Sequence, residues 1–352
     1  FLVFALALNM ICLYYFITIR KGYVKGIITT VVTAALLIMP LNSSYAFWTD
    51  VVLEDESLYN YLQVTEKGNS VILSTNVAFG VQSIYTRDRI LSGYYYDYAL
   101  MSPLFLKDGS TEKSFDVLVL GMGTGTFAKE CKYFYPNSNI VGVEIDEKIV
   151  DLSRKYFELK EEEATIYVND GRTFMSSPEA GMYDIILVDA YHDITIPFHM
   201  ATTEFFAILK EHLKPGGVLM VNINMRSKNN TEITDYLTHT LKNNMKKVYK
   251  YDIPGITNTL VYSSDDDNCL QYLVDNSSAL GEESLLLPLA RNVIRDCTEV
   301  TESKYVLTDD LAPVEVLGQK LLNDVVTEEL DYFKSEIGSS GGGIMDVFNM
   351  LS

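Results

Sequence analysis

From Phe115 onward the sequence alternates short, continuously apolar runs with longer amphipathic ones. Asp116–Leu120, Asn139–Glu144, Thr165–Val168, Tyr183–Val188 and Gly217–Ile223 have the length and composition of strands. Helical segments are expected between and after them, near 125–134, 146–159, 171–177, 201–213 and 230–246. A strand that is apolar on both faces must be covered on both, and crossover helices do this. The alternation therefore predicts a doubly wound α/β domain on a mainly parallel sheet. Runs at 247–252 and 258–263 are expected to close it with a hairpin edge, followed by a helical tail over 265–334.

The part before the sheet reads differently. Over 58–86, Tyr59, Tyr61, Gln63 and Thr65 alternate with Asn60, Leu62 and Val64, and Lys67-Gly68-Asn69-Ser70 is a turn signal. Val71–Leu73 and Gln82–Tyr85 are further strand candidates, and a helix is expected from about Tyr95 to Leu106. Further upstream, Phe1–Ile19 carries no charge, and about 20 such residues suffice to span a bilayer. Arg20, Lys21 and Lys25 follow it, whereas a signal peptide has its basic residues in front. A second uncharged run, Gly26–Trp48, is interrupted by Pro40 and Asn42-Ser43-Ser44. The expectation is a helical membrane hairpin over 1–48 that contacts lipid, its basic loop on the cytoplasmic side. A small β-rich domain over 49–106, the α/β domain with its helical tail over 107–334 and a flexible end over 335–352 complete the organisation. Ser339-Ser340-Gly341-Gly342-Gly343 opens that last segment.

Charge narrows the partners. Lys and Arg total 28 against 47 Asp and Glu, a net of −19, which excludes a duplex nucleic-acid binder and suits a small cationic ligand. Cys12, Cys131, Cys269 and Cys297 are scattered without CxxC spacing, so neither a zinc site nor a disulfide framework is expected.

The first strand of the alternation runs into Gly121-Met122-Gly123-Thr124-Gly125 and then a helix. Glycines there allow close approach of a ligand, and the helix N-terminus offers free amides. Thr126 takes the slot of a further glycine that a dinucleotide fingerprint would have. Glu144, at the end of the next strand, is placed to accept both hydroxyls of a ribose. Asp170, after the third, could accept an adenine amine, with Gly171 leaving room. Such strand tips lie side by side on the carboxyl edge of the sheet. Asp189 ends the fourth strand after Ile185-Ile186-Leu187-Val188, where a carboxylate could hold an ammonium and take its proton during attack beside a sulfonium. His192 is a candidate for a second polar contact.

These residues, in this order and spacing, resemble spermidine synthase-like aminopropyltransferases. Val81-Gln82-Ser83 is similar to the family's nucleoside-contacting glutamine, and Tyr95-Tyr96-Asp97 leading to Pro103-Leu104 to its tyrosine-containing helix start. The membrane-fused branch is the nearest, on Tyr94–Tyr98, the stretch from Asp193 to His199, and Leu307-Thr308-Asp309-Asp310-Leu311-Ala312-Pro313. The resemblance covers about 55–320 and implies a Rossmann-like, S-adenosylmethionine-dependent methyltransferase-type sheet. It implies that Gln82, Gly121, Gly123, Thr124, Gly125, Glu144, Asp170 and Gly171 form the nucleoside site and that Asp189 is the proton acceptor. Tyr95, Tyr96, Asp97, His192 and Asp193 would join Asp189 around the amine. The donor would be decarboxylated S-adenosylmethionine or S-adenosylmethionine, with no metal, and donor supply favours a cytoplasmic catalytic domain; a homodimer is possible within the family. Thr124 stands where soluble members carry an acid for the donor's ammonium, and Ile256 stands near their tyrosine after an Ile-Pro pair. Three functions stay open: an aminopropyltransferase acting on a diamine such as putrescine, an S-adenosylmethionine-dependent methyltransferase, and a non-catalytic polyamine or nucleoside sensor.

Overall fold

A computed structural model of the chain describes residues 2–20, 22–38, 50–76, 81–190, 196–224, 226–227, 230–324 and 327. The apolar N-terminal runs form α1 (Leu2–Thr18) and α2 (Tyr23–Ile38). They pack antiparallel: Asn9 Nδ2 donates to Thr33 Oγ1 at 3.1 Å, and Gly26 sits against Leu13. The described residues do not bear out the membrane-spanning expectation. Among the described residues no helix is long and apolar enough to cross a membrane. The 17 residues of α1 rise about 26 Å, short of roughly 30 Å of hydrocarbon. Arg20 (φ 52°) and Gly22 (φ 72°) then turn the chain into α2. Pro40 and the Asn42-Ser43-Ser44 interruption lie outside the described residues.

The small domain is a four-stranded antiparallel sheet in sequence order: β1 (Val51–Glu56), β2 (Tyr61–Lys67), β3 (Ser70–Thr75) and β4 (Ser83–Thr86). Its apolar face presents Leu62, Val64, Val71 and Leu73, all fully buried, to Ile149, Leu152 and Phe157 of the larger domain. A buried side chain of this size contributes about 1.5–3 kcal/mol, so this patch fixes the small sheet beside the larger one. The helix expected to Leu106 is shorter. α3 (Tyr95–Ala99) gives way to a 3₁₀ turn at Ser102–Phe105, because Pro103 lacks an amide and disfavours helix before it.

The larger domain contains β5 (Asp116–Leu120), α4 (Thr126–Phe134), β6 (Asn139–Glu144), α5 (Glu147–Lys155), β7 (Thr165–Val168), α6 (Gly171–Met175), β8 (Tyr183–Val188), α7 (Thr203–Glu211) and β9 (Leu213–Ile223). Next come α8 (Glu232–Asn244), β10 (Lys247–Asp252), β11 (Thr259–Ser264), α9 (Cys269–Ser278), α10 (Leu286–Asp296) and β12 (Thr298–Glu299), and residues 314–324 are helical. The sheet order is β12-β10-β11-β9-β8-β5-β6-β7. Strands β9, β8, β5, β6 and β7 are mutually parallel, and β11 joins β9 antiparallel. The expected edge hairpin is β10–β11, and β12 adds a two-residue strand outside it. One hydrophobic core lies on each face of the sheet. The chain winds from β5 toward β7 on one side and from β8 toward β9 on the other. The ends of β5 and β8 therefore form the switch point where ligands bind in such sheets.

Candidate active site

A cavity of about 400 Å³ opens at the carboxyl ends of β5, β6, β7 and β8, capped by the small sheet and α3. Gln82, Tyr95, Tyr96, Gly121, Gly123, Glu144, Asp170, Gly171 and Asp189 all line it. Residues far apart in the chain thus share one hollow.

Glu144 is held by the turn after β5. Gly123, at φ +54°, donates its amide to Glu144 Oε2 at 2.8 Å, and the Asp146 amide donates to Oε1 at 3.1 Å. Burial pushes the Glu144 carboxyl above its ordinary value, and these amides offset part of that. Asp146 in turn accepts from Ser57 Oγ at 2.5 Å and Asn60 Nδ2 at 3.0 Å, which docks the β1–β2 turn at the cavity rim.

Asp189 continues β8, its amide donating to Leu120 O at 2.8 Å. Tyr95 Oη donates to its Oδ2 at 2.5 Å, and Asn222 Nδ2 donates to its Oδ1 at 2.8 Å. Asn222 is itself held through Oδ1 by Asn258 Nδ2 at 3.0 Å. Burial raises the Asp189 carboxyl most, the two donors pull it back, and the Glu144 charge adds to the rise, leaving it at about 7. Burial, and then the Asp189 charge, push the Tyr95 phenol well above its ordinary value, so it stays a donor. A carboxyl that titrates near neutrality in a cleft is suited to proton transfer.

Asp170 caps α6, accepting from the Thr173 amide at 2.8 Å through Oδ1, and pairs through Oδ2 with His199 Nε2 at 3.0 Å. Burial raises its carboxyl, but the Thr173 amide and His199 outweigh this and hold it below its ordinary value. A Cβ at Gly171 would lie 2.7 Å from Met200 Cε, the end of a flexible side chain that would have to shift to admit it.

Three sequence expectations are corrected. Thr124 and Gly125 do not line the cavity. Thr124 is fully buried with Oγ1 3.5 Å from Thr126 Oγ1, and Gly125, at φ +82°, turns the chain into α4 against Leu159. Asp97 is absent from the cavity wall as well. Two positions after Tyr95 on a helix, it points to the other side, where it accepts from the Ser92 amide and hydroxyl and the Gly93 amide at 2.9, 2.6 and 2.9 Å. His192 and Asp193 lie outside the described residues. Conversely, Tyr59, Asn60, Pro197, Phe198, His199 and Glu315 line the cavity without having been singled out as site residues. An asparagine inside the apolar run Val221-Asn222-Ile223 was a legible sign of a polar partner at the tip of β9. Among the described residues no group of three or more His, Cys, Asp or Glu side chains is placed to hold a metal ion.

Residues 102–265 match the spermine/spermidine synthase domain. Across 95% of its length the chain is 38% identical to a probable polyamine aminopropyl transferase of Bifidobacterium longum (strain NCC 2705), and it spans 77% of that protein. The chain belongs to the spermine/spermidine synthase family. It is accordingly a transferase. A polyamine aminopropyltransferase of Vibrio vulnificus (strain CMCP6) is 26% identical over 82% of this synthase-family chain and 99% of its own length. The fold is shared with a probable spermidine synthase from Corynebacterium glutamicum ATCC 13032, at a TM-score of 0.56 and 20% identity, over 71% of this chain and 91% of that one.

Proposed function

We propose that this chain moves the aminopropyl group of decarboxylated S-adenosylmethionine to one nitrogen of a small diamine such as putrescine. The observation that carries this reading is Asp189, a half-buried carboxyl held by Tyr95 and Asn222 in the same cavity as Glu144 and Asp170. Glu144 would accept from the ribose hydroxyls, and Asp170 from the adenine amine. An alkyl ammonium has a pKa of about 10 and is not a nucleophile until it loses a proton. Asp189 takes that proton. The nitrogen lone pair attacks the carbon beside the sulfonium, the C–S bond breaks with its electrons on sulfur, and a neutral methylthio nucleoside leaves. The proton passes from Asp189 to solvent.

Glu144, buried, and Asp189, half-buried, favour a donor without a carboxylate, because like charges repel in a cavity partly screened from water. Thr124 in place of an acid leaves methyl transfer from ordinary S-adenosylmethionine as the second reading. Calorimetry with both donors separates them. The decarboxylated form is expected to bind at least about 10-fold tighter, a difference of roughly 1.4 kcal/mol. The reverse order would replace aminopropyl by methyl transfer, and indifference to both would remove either transfer.

We also assign the α1–α2 hairpin to a lipid surface, on the exposure of Phe4, Ile11, Tyr14, Ile28 and Val31 along it. The full chain is expected to float with anionic vesicles, and Ile11→Asp with Val31→Asp to leave it in the soluble fraction. Flotation unchanged by the two aspartates would refute this assignment.

A further inference from the structure

Asp97 and Glu130 are buried acids outside the cavity, and the transfer step uses neither. They meet at the entry to α3. The Ser92 amide donates to Asp97 Oδ1 at 2.9 Å and to Glu130 Oε1, on α4, at 3.1 Å. Ser92 Oγ donates to Asp97 Oδ1 at 2.6 Å and accepts from the Tyr94 amide at 3.2 Å. The Gly93 amide donates to Asp97 Oδ2 at 2.9 Å, and Gly93 itself bends the chain at φ +81°. Tyr94, at the N-terminal cap of α3, offers no side-chain bond to the helix. Asp97, in the first turn, reaches back to the amides in front of it instead, much as the acid of a capping box does.

The same helix carries Tyr95, whose hydroxyl donates to Asp189 Oδ2 at 2.5 Å. With only five residues, α3 has little helix behind its first turn to hold its direction. The bonds from Ser92 and Gly93 to Asp97 set where it starts, and Glu130 ties that start to α4, which follows the Gly121–Gly125 turn. A displacement of Tyr95 by about 1 Å would lengthen its bond to Asp189 beyond hydrogen-bond range.

We propose that Asp97 is a positioning residue for the proton acceptor: by holding the Ser92–Gly93 bend it places Tyr95 against Asp189. This rests on the aminopropyl-transfer reading above. Among the described residues, the titratable groups acting on Asp189 are Tyr95 and Tyr96 of α3 and Glu144 of β6, with Asn222 of β9 as a neutral donor. Asp97 is faced by Glu130 of α4, whose carboxyl burial, and then the Asp97 charge, push well above its ordinary value. The two ways in which Asp97 could reach Asp189 have opposite signs. As a negative charge it would raise the Asp189 carboxyl, and its loss would let Asp189 ionise at lower pH. As the holder of Tyr95 it lowers that carboxyl, because the Tyr95 hydroxyl favours the ionised form, and its loss moves ionisation to higher pH.

The test is turnover of decarboxylated S-adenosylmethionine and putrescine against pH, with thermal unfolding of each variant. Asp97→Asn keeps the size of the side chain, but its amide nitrogen cannot accept from Ser92 or Gly93. It is expected to move the rising limb of turnover from near pH 7 to higher pH by about half a pH unit and to lower the plateau about 10-fold. Ser92→Ala, which removes one bond to Asp97 and keeps both amide donors, is expected to move the limb the same way by less, and it decides the sign if Asp97→Asn does not fold. Asp97→Asn joined to Tyr95→Phe is expected to move the limb no further than Tyr95→Phe alone, because the two act through one bond. A limb that moves to lower pH, a limb that stays in place while the melting temperature falls, or shifts that add in the double variant would each overturn the inference while the transfer reading stands. No turnover by the unaltered protein would remove the transfer reading, and this inference with it.

Discussion

Asp189→Asn is expected to lower turnover by about 10²–10⁴-fold while changing affinity for the methylthio nucleoside product by no more than about threefold. The side chain keeps its size but can no longer accept a proton. It also presents an amide N–H where Tyr95 and Asn222 both donate, so one of those bonds is lost. In the unaltered protein the carboxyl titrates at about 7. Below that pH it is protonated and cannot act as base, so turnover is expected to rise through pH 7 and then level off. Tyr95→Phe removes one of the bonds that pull this carboxyl down, and the rising limb is expected to move to higher pH. Stability runs the other way. Asp189 ionises near its ordinary value of 3.8 once unfolded but only near 7 in the fold. As pH rises from 3.8 to 7 the unfolded state therefore gains charge first, and the folded state loses stability relative to it. Asp189→Asn is accordingly expected to raise the melting temperature at pH 8 and to change it little at pH 4. Turnover against pH, with thermal unfolding at both pH values, checks all three. Undiminished aminopropyl transfer by the Asn variant would exclude Asp189 as the proton acceptor.

The parts of this fold that were legible from the chain are those governed by neighbours in sequence. The strands β5, β6, β7 and β8 have the bounds expected, because a run with apolar residues on both faces between helices has few alternatives. β1 was not legible: Glu54, Asp55 and Glu56 mask its period, and what makes it a strand is pairing with β2. The strand tips Gly121, Glu144, Asp170 and Asp189 were legible as a set, since a parallel sheet brings its carboxyl ends to one edge. Side-chain direction was not. Asp97 and Tyr95 sit two residues apart on one turn of helix yet point to opposite sides, and Thr124 lies between two glycines of positive φ that turn it into the core. His199 was illegible for a third reason. Its main-chain carbonyl accepts from Arg172, which also pairs with Asp309, a residue 137 positions away whose approach no local pattern announces.

Gly121→Ala is expected to destabilise the fold by about 2–4 kcal/mol and to lower turnover by about 10²-fold in the molecules that remain folded. Gly121 sits at φ +88°, where a side chain is already strained. A Cβ there would lie 2.4 Å from Asp189 O, 2.6 Å from Asp189 C and 2.7 Å from Ala190 Cα. All three are main-chain atoms, so no rotamer change relieves the clash. The end of β8 must move, and it carries Asp189. Its carboxyl would then leave the positions that Tyr95 and Asn222 define, and a displacement of about 1 Å at a reacting group costs on the order of 10²-fold. Gly68 is the control. It has φ +61° but nothing within 4 Å of a Cβ, so Gly68→Ala is expected to cost only about 1–2 kcal/mol of backbone strain and no turnover. Urea unfolding and steady-state kinetics on the two variants separate strain at a left-handed residue from displacement of the catalytic strand. Equal effects at the two positions would mean that the contact between Gly121 and Asp189 does not set the geometry of the base.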